Sequence, residues 1–414
     1  MVKFKIPRAA TESDYANSIT NKNSQKVCIF LSVLMASLFI TNSGDIISEL
    51  VGGGLQQSSI SITLKIVCAL TFLYCLPVIL NHITKVKIIF VFTSVLIVLL
   101  NLLLFSNNQI TDTIVTFYTM CFTGFMAVDS LQDFSLLKIH FVRTSRIISA
   151  LAIVFLLLSF TGIITSLRTG GYRMGLGYAC ITCVMILLWS FAENKKAIDL
   201  IGAIGLMALI LLYGSRGPIV GISLFAVYFG IRYFHKKGQD IICVLMFIAI
   251  MIIVIFYNDI VDMLYNALNG MGIMSRSIYL FANQSLNYDS GRSTIWNVLV
   301  NEIQKNPFRI RGINSEYVVT DTYAHNLFIE LVYQHGIIIG GIALLYLLAR
   351  IIDTLKLNVK EDASVICLIF LFAGIPSLMF SGSMWIAQNF WIWLAMIINI
   401  SRNKRYTMNE RLDR

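Results

Sequence analysis

Twelve continuous apolar runs, each near the length of a bilayer crossing, constrain this chain more than any other feature. They lie near 27–43, 60–80, 88–105, 110–128, 147–166, 176–192, 197–214, 217–234, 241–257, 325–349, 363–380 and 386–401. A crossing helix needs about 20 apolar residues, within a range near 17–25. In hydrocarbon every backbone amide must find its partner inside the protein, which leaves only helices and closed barrels. Barrel strands alternate in segments of roughly 10 residues, whereas these runs are unbroken. The expected fold is therefore an all-α polytopic membrane protein of about 12 transmembrane helices. With 57% hydrophobic and 13% charged residues and a mean hydropathy of +0.77, a soluble fold would have too little polar surface to cover its core.

Charge at the ends of the runs predicts orientation. With the N-terminus in the cytoplasm, the cytoplasmic segments hold Lys85, Lys87, Lys138, Arg143, Arg146, Lys195, Lys196, Arg232, Lys236, Lys237, Arg350, Lys356 and Lys360, and the C-terminal tail adds Arg402, Lys404 and Arg405. The outer gaps 42–59 and 106–109 hold no basic residue. This is the positive-inside pattern. It also accounts for the net charge of +10 without a polynucleotide groove, so no nucleic-acid partner is expected. Residues 1–26 are polar and carry Lys3, Lys5, Arg8, Lys22 and Lys26, and no small-residue cleavage site follows the first run; they read as a cytoplasmic tail rather than a signal. The resulting organisation is a tail at 1–26, spans 1–9 over 27–257, one large outer loop at 258–324, spans 10–12 over 325–401, and a cytoplasmic tail at 402–414. All eight cysteines fall in apolar runs, and Cys180 and Cys183 read as small core residues rather than a redox or zinc pair.

A second set of cations runs against the bias. Arg168, Arg173, Arg216, Arg276, Arg292, Lys305, Arg309 and Arg311 fall on the outer side, where orientation does not explain them. In Gly214-Ser215-Arg216-Gly217-Pro218, proline suits a first helical turn, and the free N–H groups of that turn would face the same small volume as Arg216. That arrangement suits a phosphate or diphosphate; a tight turn with an interfacial arginine fits the same residues. Asp289-Ser290-Gly291-Arg292-Ser293-Thr294-Ile295-Trp296 reads as a helix start capped by Ser290, with Arg292 and Trp296 on one face. Such a pair can hold phosphate oxygens or stack on a sugar, or simply anchor at an interface.

Thr322-Tyr323-Ala324-His325-Asn326 opens the tenth run. Glu330, one turn further in, is expensive inside an apolar helix unless it faces the bundle or a wet cavity. His325 and Glu330 are about 140° apart around an ideal helix and need not touch. His325 is the preferred general base, with Glu330 and Asp321 as alternatives. His335 is expected to serve helix packing, and Gly336, Gly340 and Gly341 to allow close helix approach. There is no Walker motif, no GxGxxG after a strand, no HExxH and no acidic DxD pair on the outer side, so neither a cofactor nor a metal is expected.

GSRGP (214–218), SGRSTIW followed by Asn306-Pro307, and HNLFIELVYQHGIIIG (325–340) together resemble the O-antigen ligase/polymerase superfamily. GYRMGLGY (171–178) resembles a further element of it, without that element's asparagine-rich end. The resemblance covers about residues 170–345. It implies a GT-C-like fold and glycosyl transfer from undecaprenyl-diphosphate-linked oligosaccharides at the outer, periplasmic face of the bacterial inner membrane, without nucleotide sugar or obligatory metal. It further implies arginines that grip the diphosphate and a loop histidine near the acceptor; taken with the residues above, Arg216, Arg292, His325 and Glu330 are expected as catalytic, and Arg168, Arg173, Ser215, Trp296, Asp321 and Asn326 as substrate-binding. Partners so implied are the lipid-linked glycans, membrane lipid and a chain-length regulator protein. The expected activity is polymerisation of repeat units into O-antigen, capsule or exopolysaccharide. An O-antigen ligase acting on lipid A-core is the near alternative, and a lipid-linked oligosaccharide flippase the alternative from another class. Against the flippase, no internal repeat is visible and the one large loop is asymmetric.

Overall fold

The apolar runs are helical because that geometry pairs each amide within its own segment. The computed structural model describes residues 12–52, 56–105, 110–166, 173–213, 216–283 and 291–412, and among them no strand occurs. The elements are α1 (Glu12–Asn42), α2 (Gly44–Leu50), α3 (Gln57–Asn81), α4 (Lys85–Leu104), α5 (Thr111–Thr116), a π-helical turn (Phe117–Phe122), α6 (Thr123–Asp129), α7 (Phe134–Phe160), α8 (Met174–Asn194), α9 (Ala197–Tyr213) and α10 (Arg216–Lys236). They continue as α11 (Asp240–Ile255), α12 (Tyr257–Gly270), α13 (Arg276–Asn283), α14 (Arg292–Lys305), α15 (Tyr317–Thr320), α16 (Leu327–Leu355), α17 (Asp362–Phe380) and α18 (Gln388–Leu412).

Eight helices among the described residues are long and apolar enough to cross a membrane: Lys22–Asn42 within α1, and α3, α4, α7, α8, α10, α16 and α17. The protein is thus a multi-pass membrane protein. The other four expected spans are also helical but fall short of that standard, each for a visible reason. The 110–128 run is divided into α5, the π turn and α6. At 17 and 16 residues, α9 and α11 rise only about 24–26 Å against a hydrocarbon core of about 30 Å. The apolar part of α18 runs on into a basic tail. Helix α1 begins well before residue 27, and the loop at 258–324 is largely helical, holding α12 to α15.

Helices α8 and α17 are buried along most of their length, while α3, α4 and α16 turn most of their surface outward. In lipid, helices associate by close packing rather than by a hydrophobic driving force. Gly221 illustrates this: a Cβ there would stand 2.6 Å from the Phe372 carbonyl oxygen, so glycine sets how near α10 comes to α17.

One end of the bundle is a network of ion pairs. Lys138 Nζ lies 2.6 Å from Glu193 and 2.8 Å from Asp362, Arg146 Nε lies 2.6 Å from Asp199, and Arg402 Nη1 lies 2.8 Å from Asp129. These cations, read from sequence as orientation signals, also pin α7 to α8, α9 and α17, and α18 to α6. Cys180 and Cys183 are fully buried in α8 with free thiols.

Helix α16 is not continuous. Gly336 has φ 72° and ψ 166°, and a Cβ there would meet the Phe308 carbonyl oxygen at 2.9 Å. Loop backbone fills the break: Ile337 N–H donates to Pro307 O (2.8 Å), and the Arg311 and Gly312 amides donate to Gln334 O (2.9 and 3.0 Å). Gly336 therefore makes a kink that docks the loop rather than a helix-packing seam. Gly341, expected at such a seam, has no neighbour near its missing side chain.

Candidate functional site

The corner where α17 ends gathers the segments singled out in the sequence. Ser381 donates its hydroxyl to Met174 Sδ, next to Arg173. Phe380 Cβ lies 3.4 Å from where a Cβ on Gly217, next to Arg216, would stand. Tyr323 Oη donates to Ser381 O at 3.5 Å, and His325 lies against the Phe380 backbone. This corner lies at the end of the bundle opposite the ion pairs, because α17 runs to it from Asp362, the partner of Lys138. The three segments on either side of long helices thus share one neighbour, which sequence reasoning missed. Its only signal is Ser381-Gly382-Ser383, a polar break between two apolar runs.

His325 sits in the left-handed region, φ 53°, which a non-glycine residue adopts only when its surroundings hold it there. Its ring packs on Tyr323, with centroids 4.1 Å apart. Nδ1 is buried without a hydrogen-bond partner. Burial, and then the Arg292 guanidinium, push the imidazole down to about 4, against the smaller upward effect of the Phe380 backbone. At neutral pH the ring is uncharged. Nδ1 is closed off from solvent in this arrangement, so an acceptor hydroxyl reaches it only when the ring turns or its neighbours shift.

Arg292 opens α14. The residue ahead of it is Gly291 at φ 84°, so glycine occupies the cap position expected for Ser290. Asp289, Ser290, Ser215 and Arg168 lie outside the described residues. Trp296 Nε1 donates to Ala324 O at 2.8 Å. Read from sequence as a substrate contact, this indole N–H is committed to holding the backbone just before His325. Asn326 is likewise engaged: its Oδ1 caps α16, accepting from the Phe328 and Ile329 amides at 2.9 and 3.3 Å.

Arg216 begins α10, with Pro218 inside the first turn as expected, and its guanidinium stands 5.8 Å from the Phe281 ring centroid. Arg173 is ion-paired with Asp45 of α2, and its backbone N–H donates to Tyr213 O at 2.7 Å. Burial holds its guanidinium below the ordinary arginine value. Its Nε is buried with no hydrogen-bond partner. Asp321 is exposed, in the left-handed conformation after α15.

Glu330 faces into the bundle, one of the two settings the sequence allowed it. It is fully buried and accepts from the Ser383 hydroxyl and, at 3.3 Å, from the Met384 amide. Gln334 donates to both oxygens of Glu316 at 3.0 Å and accepts from Trp385 Nε1 at 2.8 Å. Burial pushes the Glu316 carboxyl up to about 7, with the Gln334 bond opposing it. Glu316, Gln334, Ser383 and Trp385 escaped the sequence reading because their partners lie far apart in the chain. Of the three candidate bases, only His325 offers a buried ring nitrogen without a partner. Among the described residues, no three His, Cys, Asp or Glu side chains converge as a metal site.

Comparison of the chain with protein-family models, with curated proteins and with solved structures found no match in any of the three.

Proposed function

We propose that the protein is a polyprenyl-diphosphate-dependent glycosyltransferase. It joins undecaprenyl-diphosphate-linked oligosaccharide repeat units into a bacterial surface polysaccharide (O-antigen, capsule or exopolysaccharide) at the outer face of the inner membrane. In this reading the chain crosses twelve times in a GT-C-like arrangement. The ion-paired end and both termini are cytoplasmic, and the Phe380–Ser381 corner faces outward. The observation that carries the proposal is His325: an uncharged imidazole beside Arg292, at the corner where Gly217 and Met174, the chain neighbours of Arg216 and Arg173, also pack.

The chemistry follows from charge. An acceptor hydroxyl attacks the anomeric carbon of the donor glycan and gives its proton to His325 Nδ1 as the new C–O bond forms. The bond from that carbon to the diphosphate oxygen breaks, and the electron pair leaves with the lipid diphosphate. Negative charge grows on that oxygen in the transition state, so Arg292 and Arg216 stabilise it more than the bound substrate. Trp296 positions the histidine loop. Arg173, with its charge balanced by Asp45, has a binding role rather than a catalytic one.

Purified protein in detergent micelles, given lipid-linked repeat units with and without lipid A-core, tests the reading. Products longer than one unit support a polymerase. Transfer only onto lipid A-core would indicate a ligase. No joining in micelles, with transbilayer movement in liposomes, would indicate a flippase and end the proposal.

A further inference from the structure

A lateral groove runs between α4 and α16 with α18 as its floor, and Arg173, Arg216, Arg292 and His325 take no part in lining it. Its half nearer the ion-paired end encloses about 880 Å³ and the other half about 500 Å³. Ile97, Ala343, Tyr346, Trp385, Trp391 and Leu394 line both halves, so the two are continuous. The loop straps the far end: Ile313 N–H donates to Asn101 Oδ1 at 2.6 Å, tying α4 to the segment docked at the α16 kink.

The two halves differ in charge. Arg350, Ser401 and Arg402 line the larger half, whereas among the described residues no arginine or lysine lines the smaller one. Arg402 is paired with Asp129. Arg350 makes one ion pair, to Asp353 at 2.9 Å, and its Nε is buried with no hydrogen-bond partner. The rest of the guanidinium is part exposed on the groove wall, and it suits a phosphate oxygen. Depth agrees with this. From Val86 to Ile97 the larger half follows α4 for about 16 Å, close to one leaflet of a core about 30 Å thick.

We infer that this groove binds one anionic phospholipid from the leaflet at the ion-paired end. Its phosphate rests on Arg350, and an acyl chain runs past Phe90 and Trp391 to Ala343. The site is independent of the glycosyl-transfer reading and lies at the opposite end from the diphosphate corner.

Trp391 reports on the groove directly. The full chain in phosphatidylcholine nanodiscs is titrated with phosphatidylglycerol or phosphatidylcholine brominated on the acyl chains, and indole fluorescence is read. Brominated phosphatidylglycerol should quench at about tenfold lower mole fraction than brominated phosphatidylcholine, the scale of one charge-assisted hydrogen bond. Trp391→Phe should remove most of that preferential quenching. Arg350→Gln should bring the two curves together while Arg350→Lys keeps them apart, and Ala343→Phe should weaken quenching by both lipids. Coincident curves for the wild-type chain would mean a neutral or unselective lipid and overturn the inference. So would a preference that survives Arg350→Gln, or a groove unresponsive to either lipid because a second copy covers it.

Discussion

Gln334 donates to both carboxylate oxygens of Glu316 at 3.0 Å, joining the loop to α16 just before its kink. The same residue's backbone carbonyl receives the Arg311 and Gly312 amides. Together with the Ile337–Pro307 and Ile313–Asn101 bonds, these hold the large loop on the bundle, and the loop in turn carries Arg292 and leads into His325. Gln334→Leu would leave a buried carboxyl without its donor and lower stability by about 1–3 kcal/mol. Thermal unfolding in detergent reads this directly, and an unchanged midpoint would dismiss the bridge.

Glu316 gives the same junction a pH dependence. Its carboxyl lies at about 7 in the folded protein against 4.5 ordinarily, so the native state holds a proton that the unfolded chain releases. Stability from this group is therefore complete below pH 4.5 and declines as pH rises toward 7. Glu316→Gln should flatten that part of the stability profile. A slope of equal size in the variant would assign it to other groups.

Gly336→Ala tests the kink. Its left-handed backbone alone disfavours a side chain by about 1–2 kcal/mol. The added methyl would also press on the Phe308 carbonyl oxygen. Loss of stability should accompany easier protease cleavage near residues 307–312. A variant as stable as the parent would mean that the helix tolerates this break without glycine.

All twelve apolar runs were legible as helices, because continuous hydropathy and length are local properties. The rest depended on tertiary partners. Gly336 reads as a packing glycine when the loop that enters its kink is not seen. Asn326 and Trp296 carry the right groups for substrate recognition, yet caps and backbone carbonyls claim them. The π turn at Phe117–Phe122 has no hydropathy signature. Asp45, partner of Arg173, lies in a gap whose lack of basic residues drew notice only for topology. Topology put the segments of Arg173, Arg216 and His325 on one face, but the Phe380–Ser381 corner that Met174, Gly217 and Tyr323 share is a tertiary contact with no local signature.

His325 predicts a pH profile. With its imidazole near 4, the neutral ring prevails above that value, so kcat/KM for glycan joining should hold level down to about pH 5 and fall only below it. A limb near 6.5 would show an ordinary, solvated histidine. His325→Gln should lower the rate by about 10²–10⁴, the usual worth of a positioned base. Trp296→Phe should lower kcat with little change in KM, since it loosens the loop without removing a substrate contact.

The most direct measurement is the length distribution of glycan made by the Arg292→Ala protein from lipid-linked repeat units, with membrane insertion checked in parallel. The expected result is normal insertion with extension abolished or slowed by about 10²–10³, equivalent to about 2.7–4 kcal/mol for one lost transition-state donor. Polymer of ordinary length from that variant would contradict a role for Arg292 in releasing the diphosphate.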